Sequence, residues 1–342
     1  MAGAISRRLH RALAVALAVV AVVGLDSASV PVAFNTEGRL GRGVAPKVTP
    51  SLLVPVYQGL SLVRERKIGT ELMEPVMLLQ EEMEKLKMEG LEEPVWLGSP
   101  TSGTLKELQE KYVGNSEDGF WMLDLSTLPE APSSTTLGVP GARWAKLRDR
   151  NAAPSVCDLL EDDHAALLAV AAGLSNWHRS VRFCAKCGGP TKSFRAGSNR
   201  RCSNCGSRFR PRVDPAMIVL VTSGRRCLLG RKASWPPGRF SALAGFVEFG
   251  ETLEECVRRE VREESGVVVD DHSIRFVASQ PWLFPRSLLL GFTAEAADDT
   301  IDVDQDELEE VKWFEASYLR RQLLSADKDS ADDFNIPSKT SL

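Results

Sequence analysis

Apolar and polar positions fall into regular patterns only from about Leu52, and from there the chain reads as short strands interleaved with few helices. Apolar residues at helical spacing, with acids facing lysines, predict a helix over Glu71–Met88. Pro94–Gly98 and Gly119–Asp124 read as strands, and the Pro-, Ser- and Thr-rich stretch Pro129–Pro140 as a loop. Asp158–Trp177 is predicted to be an amphipathic helix, with Leu160, Ala165, Leu168 and Ala172 broadly on one side. Buried strands are expected at Ala216–Val221 and Arg226–Gly230, then a helix over Glu251–Ser265 that stops at Gly266. Strand patterns recur at Ile274–Ser279, Leu288–Ala294 and Val311–Phe314, and Ala316–Leu324 reads as a closing helix. The resulting division is an N-terminal α+β accessory domain (51–178), a compact cysteine module (179–211), an α/β domain (212–325) and a polar tail (326–342).

Residues 1–50 stand apart. Arg7, Arg8 and Arg11 precede an apolar run from Ala12 to Leu25, and the first acid is Asp26. A basic front, an apolar middle and small residues at Ser27–Ser29 have the layout of a targeting segment, and Asn35–Pro50 that of a linker. The run is short for a membrane span. Import into a plastid or mitochondrion is the expectation, with no stable membrane partner after processing; an uncleaved anchor or a peroxisomal destination is left open. The C-terminal Thr340-Ser-Leu342 is a poor likeness of the Ser-Lys-Leu signal.

Composition narrows the chemistry. A net charge of −4 over 342 residues makes the whole molecule no general magnet for nucleic acid. Basic residues are nonetheless concentrated: between Arg179 and Arg212 there are ten Lys or Arg and no acid. Such a run suits a solvated face or a phosphate contact. Seven cysteines, four of them in two Cys-x-x-Cys pairs, argue against a disulfide framework and for a metal site in a reducing compartment. Cys184 and Cys187 are separated from Cys202 and Cys205 by fourteen residues, and each pair is followed by glycine. That spacing predicts a closed, structural four-thiolate zinc ribbon. His178 lies nearby but is surplus to it.

The second candidate site is Gly245-Phe-Val-Glu-Phe-Gly-Glu251, seven residues, then Arg259-Glu260-Val-Arg-Glu263-Glu264-Ser-Gly266. On a helix Glu260, Glu263 and Glu264 project from one side, and each like-charge pair costs a few tenths of a kcal/mol. A hard divalent cation such as Mg²⁺ or Mn²⁺ offsets that cost and suits substrates bringing phosphate oxygens. Leu253, Cys256, Val257 and Val261 form the opposite, buried stripe, and Arg259 is placed to hold Glu251 or Glu260 by bidentate pairing.

These intervals resemble the Nudix box, Gly-x5-Glu-x7-Arg-Glu-U-x-Glu-Glu-x-Gly-U with U aliphatic, at every specified position. The resemblance implies an α/β/α sandwich around a mixed sheet and hydrolysis of a diphosphate by metal-activated water. Glu260 and Glu264 would be metal ligands, and Glu263 a further ligand or the activator of water. Pro211-Arg-Val-Asp-Pro215 after the cysteine module, and Ser279-Gln-Pro-Trp-Leu-Phe-Pro-Arg-Ser-Leu288 after the box, are similar to the NADH pyrophosphatase branch of that family. That branch implies cleavage of NADH to AMP and reduced nicotinamide mononucleotide, with NAD⁺ and NAD caps on RNA as related substrates, in a homodimer. By position Glu307 would complete the metal shell, Phe246 would stack on a base and Gln280 would line the nicotinamide side. Trp282 and Phe284 fit either substrate contact or core. Two departures bear on specificity. Leu283 stands where the branch has Pro, and Arg210 where it has a Tyr that sandwiches the base; a guanidinium can also stack on a ring. Other readings are a diphosphatase acting on ADP-ribose or another nucleoside diphosphate derivative, and a binding module without catalysis. The second sits poorly with a complete set of glutamates.

Overall fold

The computed structural model describes residues 40–41, 51–66, 72–85, 91–100, 103–113, 119–148 and 155–324. The expected targeting segment and the tail lie outside them; of the expected linker only Leu40–Gly41 is described, as the two-residue strand β1. No described helix is long and apolar enough to cross a membrane. The described residues divide into two compact units, those up to 212 with 283–286, and 213–282 with 287–324.

The first unit is built on an eight-stranded sheet. Its strands are β1, β2 (Leu52–Tyr57), β3 (Leu60–Glu65), β4 (Met73–Pro75), β5 (Leu78–Leu79), β6 (Val95–Pro100), β7 (Phe120–Asp124) and β8 (Arg143–Ala145). They run β1-β6-β7-β2-β3-β4, with β5 added to β2 and β8 to β3; β2 and β7 are parallel and the other pairs antiparallel. All six β2 residues are buried because both faces of the sheet are covered. Leu52, Val54 and Val56 join one core with Leu167, Leu168 and Ala171, whereas Leu53 and Tyr57 join another with Trp96, Trp121 and Leu137. The predicted loop at Pro129–Pro140 is thus the lid of the second core, pinned where the Trp144 indole donates to the Pro132 carbonyl at 2.8 Å.

The predicted helix over Glu71–Met88 is not formed as such. Met73–Pro75 is strand β4, and helix α1 covers only Gln80–Lys85. Met73 and Pro75 point inward while Glu74 points out to Arg64 at 2.7 Å and Lys111 at 3.1 Å, a period of two that a helical reading mistakes for amphipathicity. Pro75 also lacks the N–H that a helix interior needs. Helix α2 (Gly103–Val113), which the sequence pattern does not announce, buries Leu105 and Leu108. The helix expected at Asp158–Trp177 is interrupted at Leu160, which is extended, giving α3 (Val156–Leu159) and α4 (Asp162–Ser180). The unit ends in an antiparallel sheet of β9 (Thr191–Phe194), β10 (Asn199–Cys202) and β11 (Arg208–Phe209).

The second unit holds β12 (Asp214–Ser223), β13 (Arg226–Arg231), β14 (Leu243–Phe246), helix α5 (Leu253–Ser265), β15 (Val268–Val269), β16 (Arg275–Trp282), β17 (Ser287–Asp298), β18 (Glu310–Glu315) and helix α6 (Ala316–Leu324). Its seven-stranded sheet has the order β15-β17-β12-β13-β18, with β14 on β12 and β16 on β17. β12 and β17 are parallel and the remaining pairs antiparallel, so the sheet is mixed as expected. Val257 and Val261 of α5 pack on Met217, Val219 and Leu243, the face to which Val311 and Trp313 also belong. Phe314 points the other way and stacks on Tyr318 of α6, with centroids 6.3 Å apart. A helix on each face of one sheet is the predicted α/β/α sandwich.

A carboxylate cluster and a thiolate cluster

Helix α5 begins at a capping box, in which Thr252 accepts from the Glu255 amide at 3.2 Å and Glu255 accepts from the Thr252 amide at 2.8 Å. It ends at Gly266, whose φ of 73° is the left-handed conformation that suits glycine. Between these stops its register is fixed by the buried stripe, and the polar face carries Glu260 and Glu264 one turn apart. Both are buried beside β14. A side chain on Gly245 would collide with the Glu260 carboxylate, so glycine here lets the helix bring that group against the strand.

Glu307 comes from a turn after β17, closed by the Leu308 amide on the Asp304 carbonyl at 3.0 Å and anchored by Leu308 in the core. A Glu309 ion pair with Arg231 and the Glu309 amide on the Arg231 carbonyl at 2.9 Å tie the turn to β13. One carboxylate oxygen each of Glu260, Glu264 and Glu307 lies within 4.8 Å of the others.

Arg259 organises the flank. It holds both oxygens of Glu251 at 2.8 and 2.9 Å, Glu263 at 3.0 Å, Glu260 at 2.9 Å and the Phe246 carbonyl at 3.0 Å. Those hydrogen bonds pull the Glu251 carboxyl down to about 2 and raise the guanidinium further above its ordinary value. Burial does the reverse to Glu264, pushing it up to about 8, with the Glu260 charge adding and Lys232 opposing. Glu260 is also raised, first by burial. Glu264 is 2 % exposed, and its Oε2 has no hydrogen-bond partner among the described residues. A buried, orphaned carboxylate oxygen facing two more carboxylates is costly unless a cation meets it. The donor set therefore fits a divalent metal held by Glu260, Glu264 and Glu307. Glu263 is exposed and bound to Arg259 rather than brought into that triad.

The residues expected to contact substrate are split by the sheet. The register sets Phe246 opposite Ala216, Ala216 opposite Leu289 and Leu289 opposite Gln280, a single row across four strands. Met217 and Gly245 occupy the next row and face α5, so Phe246 and Gln280 lie on the other face. Trp282, two residues beyond Gln280, shares it and is half-buried. Phe246 is 60 % exposed, whereas Gln280 is 3 % exposed with its Oε1 unpartnered among the described residues. Phe284 packs against the core of the first unit, the core role of the two expected for it. Arg210 is exposed just beyond β11. Two contributors escaped the sequence reading: Lys232, the cation opposing the Glu264 shift, and the steric reason for Gly245. A basic residue directly after β13 was the available signal for the first; the second depends on a nonlocal approach with no local signature.

In the first unit the Sγ atoms of Cys184, Cys187, Cys202 and Cys205 cluster within 4.8 Å, with 184–205 and 187–202 separations of 3.6 and 3.5 Å. Four thiolates about 2.3 Å from one zinc would stand about 3.8 Å apart, so the set fits that ion. Amides of Lys186 and Asn204 point at Cys184 and Cys202 sulfur at 3.4 Å, as knuckle glycines permit. His178 is not a ligand: Nε2 meets the Gly197 carbonyl and Nδ1 meets Arg200, both at 2.9 Å.

A glutamate-rich helix on an α/β/α sandwich, preceded in the chain by a four-thiolate ribbon, defines a metal-site domain with a structural zinc module. Comparison with known proteins gives the particular kind. Residues 211–334 match the NUDIX domain, and 179–209 match the NADH pyrophosphatase zinc ribbon domain. The chain thus carries a NUDIX domain preceded by that ribbon. It is 44 % identical over 182 residues to the NAD-capped RNA hydrolase NudC of Stutzerimonas stutzeri, covering 53 % of this chain and 63 % of that protein. It is 44 % identical over 180 residues to the NAD-capped RNA hydrolase NudC of Mycobacterium bovis, covering 52 % and 57 %. The chain therefore spans less than two thirds of the length of these relatives. A solved NUDIX hydrolase from Nitrosomonas europaea aligns over 46 % of this chain and 97 % of its own at 21 % identity, with a TM-score of 0.35, too loose a likeness to bear on the fold.

Proposed function

We propose that this chain hydrolyses the pyrophosphate bond of NADH, and of NAD⁺, to AMP and the corresponding nicotinamide mononucleotide. The observation that carries the reading is β14: consecutive residues turn Gly245 toward the carboxylate triad and Phe246 toward the opposite face. A dinucleotide draped over the end of that strand would meet carboxylates with its phosphates and an aromatic ring with a base. Mg²⁺ or Mn²⁺ held by the triad would neutralise phosphate charge and lower the pKa of the attacking water. Arg259 ties Glu263 by Oε2, and its Oε1 would be the base that takes the proton from that water. Gln280, whose buried acceptor has no partner among the described residues, is suited to the carboxamide N–H of nicotinamide.

Removal of an NAD cap from RNA uses the same bond, and the name of the relatives favours it as a second substrate. A homodimer and organelle import complete the proposal; the latter is supported by the basic, acid-free front of the sequence. The test is a rate comparison among NADH, NAD⁺, ADP-ribose and a diadenosine polyphosphate, beside Glu264→Gln. NADH turned over fastest, with no activity in the variant, supports the proposal. Faster cleavage of ADP-ribose would show that Arg210 and Leu283 have moved the specificity elsewhere.

A further inference from the structure

The ribbon sheet has two faces of opposite character. Along β10 successive side chains alternate, so Arg200 points to one side and Arg201 to the other. Arg200 is 1 % exposed and anchors the ribbon within its unit. It bonds Glu92 and Nδ1 of His178 at 2.9 Å each, and the hydroxyl and carbonyl of Thr191 at 2.9 Å each. The other face carries Lys192, Phe194, Arg201 and Arg208.

There the register sets Lys192 directly opposite Arg201, and Arg201 directly opposite Arg208. Like charges in opposed positions destabilise a sheet. No acid lies anywhere between residues 179 and 212 to relieve them. Unlike Arg200, which pairs with Glu92, these three and Arg195 form no ion pair among the described residues. The guanidinium carbons of Arg195, Arg201 and Arg208 surround the Phe194 ring at 5.6, 5.9 and 5.4 Å from its centroid. Beside the ring opens a shallow hollow of about 550 Å³ lined by Lys192, Phe194, Arg201, Ser203 and Asn204. The cation–π contacts hold the cluster together, but they gather positive charge rather than cancel it.

We infer that this face of the ribbon docks single-stranded RNA, with phosphates on Lys192, Arg201 and Arg208 and a base against the Phe194–arginine cluster. Cations interleaved with an aromatic ring match a chain that offers phosphates and unstacked bases in turn. A lipid headgroup or an acidic peptide brings charge without the ring, and a duplex keeps its bases inside. The inference rests on the capped-RNA side of the proposed function. It gives that substrate a hold that free NADH does not have.

The test uses the full zinc-loaded chain and a fluorescent, uncapped single strand of about a dozen nucleotides, so that binding is read without catalysis. Anisotropy titrations from about 50 to 200 mM salt give the slope of log affinity against log salt. In the double variant Arg201→Gln/Arg208→Gln the slope should shrink by about 1.4, two contacts at about 0.7 each for a single strand. Arg201→Lys/Arg208→Lys should keep the slope. Phe194→Leu should lower affinity by about fivefold or more while also keeping it. Zinc content of these variants should be unchanged, since Arg200 and the cysteines are untouched, their melting should shift by a few degrees at most, and NADH turnover should match the parent.

Unchanged RNA affinity in the double glutamine variant would overturn the inference. So would equal affinity for duplex and single strand, or a loss confined to phosphatidylserine vesicles. NADH hydrolysis without any RNA binding would sink this surface alone. RNA binding that depends on these residues, in a protein that cleaves neither NADH nor capped RNA, would sink the catalytic reading and leave the surface standing.

Discussion

Replacing Gly245 by alanine should separate the site from the fold. A methyl group on that Cα would lie 1.9 Å from the Glu260 carboxylate carbon. Ordinary contact between carbon atoms is about 3.5 Å, so the carboxylate must retreat by about 1.6 Å. All three of the nearest atoms belong to the end of a flexible side chain, and the backbone around them need not move. Stability should therefore change by no more than about 1 kcal/mol. Catalysis should not survive so well. Metal ligands need placement within about 0.5 Å, and a displacement of about 1 Å can cost about a hundredfold in rate. The expected result is a drop in kcat/KM on NADH of about a hundredfold, with a raised midpoint for Mn²⁺ activation and a melting temperature within a few degrees of the parent. Steady-state kinetics over a Mn²⁺ series, beside a thermal melt, reads all three. Activity within about threefold of the parent at the same metal midpoint would refute the claim that Glu260 works where the structure places it.

Three further outcomes follow from the same geometry. Arg259→Lys removes the bidentate hold on Glu251 and the bond to the Phe246 carbonyl, so kcat/KM should fall by about 10–100-fold while metal still binds; a loss under twofold would contradict that role. In metal-free protein the fold keeps Glu264 protonated up to about 8, against 4.5 for an ordinary glutamate. Protons are then bound in the native state and not in the unfolded one, so urea-melt stability should decline from about pH 5 to pH 8 by up to about 1.4 kcal/mol per unit. Glu264→Gln should flatten the decline, and a flat parent profile would contradict the burial argument. Cys202→Ser should abolish the one zinc per chain released to a chromogenic chelator and lower the melting temperature, whereas a retained zinc would point to ligands other than the four cysteines.

What the sequence disclosed is local in character. Helix α5 was legible because its carboxylate spacing, its buried stripe and its stop residue all lie within about four turns. The cysteine pairs were legible because knuckle spacing carries the chemistry. Strands β12, β13, β17 and β18 and helix α6 were found from pattern alone. Met73–Pro75 was missed because its partner is β3, and three residues of alternation look the same as part of a helix until the pairing is known. The role of Pro129–Pro140 as cover for the Trp96–Trp121 core depends on contacts distant in sequence. The division of Gly245 and Phe246 between two faces of the sheet needed the registers of β14, β12, β17 and β16 together. So did the row of like charges on the ribbon: ten cations in a run are visible in sequence, but their alignment across three strands is not.

Hydrolysis at the pyrophosphate is read from the identity of the products from NADH. Chain lacking the targeting segment, supplied with Mn²⁺, would be incubated with NADH and its products resolved by chromatography with mass detection. AMP and reduced nicotinamide mononucleotide should appear in equal amounts, with no free nicotinamide base. Release of the base together with ADP-ribose, or intact NADH after prolonged incubation of metal-loaded protein, would contradict it.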